Sequence, residues 1–294
     1  MFESLGRSWG ITKLSMSVVK SDKELLLFPL LAGVFSLLFM ILMVFPVLFT
    51  ELLSGVAEGP LSELIFYVLV FVIYLGLAFI ATFFNVCVVY TAKKRFEGGN
   101  STFGEALGFA FSRLPVIIGW ALVSATVGLI LRILFDLANN LGPIGKLVMN
   151  IVISILGGVW GIITLFVVPA LVYDNLGPMA AIKKSTQILS RTWGESLVRH
   201  FALGGAMAIL LFAGIIVGII LAIVGIMISP IVFFAVIGLL VLYVLGLILL
   251  FNVLNSVYNT ALYVYAEKGV VPSLFTQESL QGAFESKPKK KGLF

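Results

Sequence analysis

The longest apolar run covers positions 201–266 and contains no Asp, Glu, Lys or Arg. A crossing helix needs about 20 apolar residues, so this run holds two crossings. Ser229-Pro230 is the natural fold-back point. Proline cannot continue a helix from its N-terminal side, but it can begin one. The second half carries a polar stripe at helical spacing: Asn252, Asn255, Ser256, Asn259, Thr260 and Tyr263. Steps of three and four put all six on one helix face. Amides facing lipid would be unpaired in hydrocarbon, so the stripe is expected to face other helices or a wet cavity. As one helix, 230–266 would measure about 55 Å against a hydrocarbon core of about 30 Å, which places part of the stripe beyond the membrane.

The same pattern repeats along the chain. Uncharged runs predict six spans, at about 25–50, 64–92, 114–131, 147–173, 201–226 and 231–262. The first run is longer than the h-region of a secretory signal, so it is expected to be a retained span. Short amphipathic helices are expected between spans. Thr102 and Glu105 form a capping box, followed by Phe103, Leu107, Phe111 and Leu114 at steps of four, four and three. Pro178 opens another helix, with Met179, Ile182, Leu189 and Trp193 on one face and Lys183, Lys184, Gln187 and Arg191 on another. Near the start, Ile11, Leu14 and Val18 oppose Lys13, Ser17 and Lys20. Such helices suit the headgroup level, basic side toward anionic lipid.

The reading is therefore all-α: a polytopic membrane protein of six spans and three interfacial helices. The helix order suggests a unit of one interfacial helix plus two spans, used at about 1–92, 101–174 and 176–266 as parallel repeats. Residues 1–266 are expected to form one membrane domain, and 267–294 a short basic tail with Lys287-Pro288-Lys289-Lys290-Lys291.

Composition agrees. The chain has 294 residues, is 61% hydrophobic and 11% charged, and its mean hydropathy is +1.16. Soluble domains carry about 25% charged residues. Charge then sets orientation. Seventeen of the nineteen Lys and Arg lie before the first span, in the two even-numbered connections or after the last span; Arg132 and Lys146 are the exceptions. By the positive-inside rule both termini are expected in the cytoplasm of a cell-membrane protein.

Candidate chemistry is sparse. Cys87 and His200 are the only residues of their kinds, which argues against a disulfide or a metal cluster. No phosphate loop, nucleophile elbow or carboxylate pair is present, so neither an enzyme, a cofactor nor nucleic-acid binding is expected. Arg132 is expected to pair with Asp136 one turn on. Gly157-x-x-x-Gly161 and the series Gly214, Gly218, Ala222 suggest packing seams, within one chain or between copies. The polar stripe, joined by Asn85 from the second span, is the candidate pocket; its alternative is interhelical glue. Two functions fit: non-enzymatic handling of lipid or another amphiphile, or organisation of the inner leaflet and of protein partners. Anionic inner-leaflet lipids are the expected partner, and a homo-oligomer is compatible with the seams.

Several segments together resemble an uncharacterised prokaryotic membrane-protein family, catalogued as domain of unknown function 6159. They are Gly119-Trp120-Ala121-Leu122 with 124–132, Phe166-Val167-Val168-Pro169-Ala170-Leu171-Val172, Gly177-Pro178, Ala181-Ile182-Lys183-Lys184-Ser185 and Thr192-Trp193-Gly194-Glu195. The opening 22–31 and the closing Ala261-Leu262-Tyr263-Val264-Tyr265-Ala266 match as well. Ser273-Leu274-Phe275 departs from the Gly-Phe pair expected after Pro272. The resemblance implies a six-span form and brings no activity or site residue.

Overall fold

The computed structural model describes residues 2–54, 60–192, 202–272 and 275. Among these it is all-α: α1 (Phe2–Ser21), a 3-10 turn (Lys23–Leu26), α2 (Leu27–Ser54), α3 (Pro60–Phe96), α4 (Phe103–Ser112), α5 (Leu114–Asn139), α6 (Pro143–Ile163), α7 (Val167–Tyr173), α8 (Pro178–Thr192), α9 (Ala202–Ile228) and α10 (Pro230–Lys268). Among the described residues six stretches are long and apolar enough to cross a membrane, one per expected span.

Local chemistry explains the boundaries. Ser229 sits in extended backbone and its hydroxyl accepts from the Val232 N–H at 3.3 Å, while Pro230 starts α10. The Thr102–Glu105 capping box is formed in both directions, at 3.3 and 3.1 Å. The helix it opens ends at Arg113, where α5 begins with proline in its first turn. Arg132 bonds Asp136 at 3.1 Å, and α5 runs on to Asn139, past the uncharged run that ends near 131.

The fourth span is interrupted, which the run of apolar residues concealed. Pro169 has no N–H for the Leu165 carbonyl and its ring crowds it, so α6 ends at Ile163 and α7 restarts at Val167. The break frees the Phe166 N–H, and the buried Ser185 Oγ of α8 accepts it at 3.1 Å. Ser185→Ala is expected to strand that donor and lower thermal stability in detergent by about 1–3 kcal/mol. An unchanged unfolding temperature would show that the break is satisfied otherwise.

The chain divides into two compact units. One contains Met1–Leu26, Ala92–Asn100 and Leu189–Phe294. Here α9 and α10 pack along the small-residue seam. Gly214 lies under the Tyr243 ring, whose hydroxyl donates to the Leu210 carbonyl at 2.8 Å. Gly218 lies against Leu240, and a Cβ at Gly225 would meet the Phe233 backbone at 3.3 Å. This seam is therefore intramolecular. Helix α1 packs on both α9 and α10, turning Thr12, Ser15, Val18, Val19 and Asp22 inward and leaving Lys13 and Lys20 exposed. Its inward face thus meets protein.

The other unit contains Leu27–Thr91 and Ser101–Ile188. Helix α4 seats on α2 and α3: Phe103 stacks on Phe28 at 5.3 Å, Phe109 on Tyr90 at 4.4 Å, and Phe111 meets Phe83 edge-on at 5.0 Å. Ala106 and Ala110, not the predicted series Phe103, Leu107, Phe111 and Leu114, form its fully buried face. The Cys87 thiol lies there, buried, 3.6 Å from the Ala106 carbonyl. Helices α5 and α6 pack with Trp120 stacked on Trp160 at 5.9 Å. Gly157 comes near Leu131, but a Cβ at Gly161 would meet nothing within 4 Å, so the second seam is open at that end.

Within each unit the buried side chains gather toward the basic ends of the long helices. On α3 the continuous buried stretch is 82–92, apart from half-buried Asn85 and Tyr90. On α10 burial begins at Phe251, whereas Ile231 is 81% and Leu239 68% exposed. Long apolar surface left open at this scale is what a lipid solvent requires.

A polar face at the basic end of α10

Helix α10 carries its first 20 residues with apolar side chains outward, about 30 Å of helix at 1.5 Å per residue. That matches one hydrocarbon core. The polar stripe begins just past this length along the helix.

The six stripe residues share one face, as the spacing predicts, but not one environment. Asn252 and Asn255 are exposed, Ser256 and Asn259 are half-buried, and Thr260 and Tyr263 are fully buried. The face therefore descends into the protein toward the C-terminal end. Helix α10 is apolar all round from Val257 to Val264, apart from these polar positions, and α9, α1 and the 3-10 turn all pack on it. Thr260 Oγ1 donates to the Ser256 carbonyl at 2.6 Å, a back-bond within the helix. Among the described residues, no side-chain hydrogen bond joins Asn252, Asn255 or Asn259 to another helix. Asn85 is half-buried on α3 in the other unit.

The predicted basic residues are distributed as follows. Lys13 and Lys20 are exposed on the outer side of α1, in the unit that holds the stripe. Lys183 is exposed on α8, while Lys184 turns to Asp174 at 3.8 Å. The Arg191 side chain, His200, Trp193 and the lysines of 287–291 lie outside the described residues.

Sequence reasoning missed one polar centre entirely. Asp22, at the end of α1, is 4% exposed and faces the Arg95 guanidinium at 3.5 Å. Arg95 also donates to the Ser21 carbonyl at 3.0 Å and to Asn100 Oδ1 at 2.6 Å. Arg95 reads from sequence as one of the basic residues that set orientation, and Asp22 only as the first residue of the 22–31 motif. The available signal was an acid between Lys20 and Lys23 at a helix end, with Glu24 close by. Burial, outweighing Arg95, holds the Asp22 carboxyl above the usual carboxylate range.

The sequence model of a family described as a family of unknown function (DUF6159) matches residues 64–273, more than half of the chain. The motif at 22–31 precedes the matched region, whereas the stripe lies inside it. No curated protein matches the chain.

Proposed function

The chain belongs to the family of unknown function DUF6159, which assigns it no activity, and we propose that it is a multi-pass cell-membrane protein that holds the headgroup of a lipid or another amphiphile without chemically changing it. The exposed amides of Asn252 and Asn255 carry this reading. They stand where hydrocarbon gives way to headgroups, above a face that deepens to Thr260 and Tyr263. Amides at that depth donate and accept, which suits phosphate and ester oxygens. Lys13 and Lys20, exposed in the same unit, supply the attraction to an anionic headgroup, on the order of 1 kcal/mol each near a charged surface. The basic connections favour a cytoplasmic location for this end.

Native mass spectrometry of the protein in mild detergent, with added anionic phospholipid, tests the proposal. We expect a one-to-one lipid adduct that is lost in Asn252→Leu/Asn255→Leu, with helical content unchanged because both sites are exposed. An adduct of equal occupancy in parent and variant would overturn it. A dimer that dissociates in the variant would instead assign the amides to contacts between copies.

A further inference from the structure

Three short helices each seat an inward face on the ends of longer ones. Helix α4 seats on α2 and α3, through Phe103 on Phe28, Phe109 on Tyr90 and the Ala106 carbonyl beside Cys87. Helix α8 seats on α5 and on the α6–α7 break, through Pro178 against Gly119 and Ser185 under the Phe166 N–H. In both cases the short helix comes directly after the hairpin on which it seats. Helix α1 comes after no hairpin in the described chain, and it seats on α9–α10.

We propose that α1 is a detachable closing strap: it takes on α9–α10 the seat that α4 and α8 take on the two earlier hairpins, and Arg95 is its clasp. The seat of α1 is the polar one. The buried faces of α4 and α8 are anchored by Ala106, Ala110, Ala181 and Ile188, with Ser185 hydrogen-bonded. The buried face of α1 includes Ser15 and Asp22. Ser15 Oγ is fully buried and has no hydrogen-bond partner among the described residues. An unpartnered hydroxyl regains water when the helix lifts, so it favours release. The Asp22–Arg95 separation of 3.5 Å is longer than a close charge-assisted bond. What holds the strap is Arg95 as a whole. It closes on the carboxylate and on the Ser21 carbonyl at the C-terminal end of α1, where the helix dipole also favours a cation. Asn100 braces the guanidinium from the other side. The strap needs no lipid ligand.

The full-length protein with Ser15→Cys tests this, because the native Cys87 reports on the α3–α4 seat in the same molecule. Reaction with a water-soluble maleimide is followed separately at each thiol by peptide mass spectrometry. Adding Arg95→Met is expected to speed labelling at position 15 by about tenfold or more while Cys87 stays unreactive. Asn100→Ala, at an exposed loop position, is expected to give the same selective rise at smaller size. It carries the test if Arg95→Met does not fold. No acceleration at position 15 in either variant would overturn the proposal. So would a parallel rise at Cys87, which would mean that the whole fold loosens.

Discussion

Arg95→Met lowers the protection of the α1 amides against hydrogen exchange by about 3–5 kcal/mol, the expected result of removing one partner of a buried charge pair. Asp22 is 4% exposed and the Arg95 side chain 23% exposed, so the two partners are not equivalent. Without Arg95, a nearly sealed carboxylate loses its counter-charge. Without the carboxylate, the guanidinium still reaches water and keeps Ser21 and Asn100. Asp22→Asn is therefore expected to change the same protection by less than about 1 kcal/mol. Equal losses in the two variants would show that the pair is symmetric and the burial argument wrong.

The pH dependence follows with a definite sign. The Asp22 carboxyl is raised above 3.8 when α1 is seated, first because burial disfavours its charge. The seated state therefore binds the proton more tightly than the released one. Its contribution is fully present below 3.8 and is lost as pH rises through the seated value. Protection of α1, corrected for the intrinsic exchange rate, should fall across that acidic window and then level. Asp22→Asn should abolish the slope. In Arg95→Met the deficit should shrink on acidification, since a neutral Asp22 needs no partner.

Gly225→Leu is the second large effect, expected to lower the thermal stability of the detergent-solubilised protein by about 1–3 kcal/mol or more. A Cβ at Gly225 already meets Phe233 Cα and N at 3.3 Å, so the obstacle is backbone rather than a side-chain tip that can swing aside. The hairpin turn at Ser229 lies only four residues on, and it leaves α9 and α10 no slack to part. Gly161→Leu is the matched control. Nothing lies within 4 Å of its Cβ position, and the residue is exposed, so no loss is expected. If Gly225→Leu were as stable as the control, the α9–α10 pair would have to pack more loosely than the seam implies.

Much of this protein could be read from the chain because hydrocarbon imposes a one-dimensional code. Every backbone polar group in lipid must be satisfied within its own helix, so apolar run length predicts spans directly. The fold-back at Ser229-Pro230 and the Thr102–Glu105 cap are equally local, and both form as the spacing predicts. So does the Arg132–Asp136 pair, which needs only one helical turn.

Contacts between segments distant in sequence were not legible. Asp22 and Arg95 are 73 positions apart, and no periodicity links them. Ser185 reads as one small polar residue among others until the break at Pro169 frees the Phe166 N–H. The stripe shows the division within one helix. Sequence alone determined that Asn252 through Tyr263 share a face, because that depends only on 3.6 residues per turn. Tertiary structure alone decided that Asn252 stays open while Tyr263 is sealed, because burial depends on which other helices arrive there. The same holds for α1: its amphipathic spacing requires something apolar to cover it, and only packing decides that α9 and α10 do so.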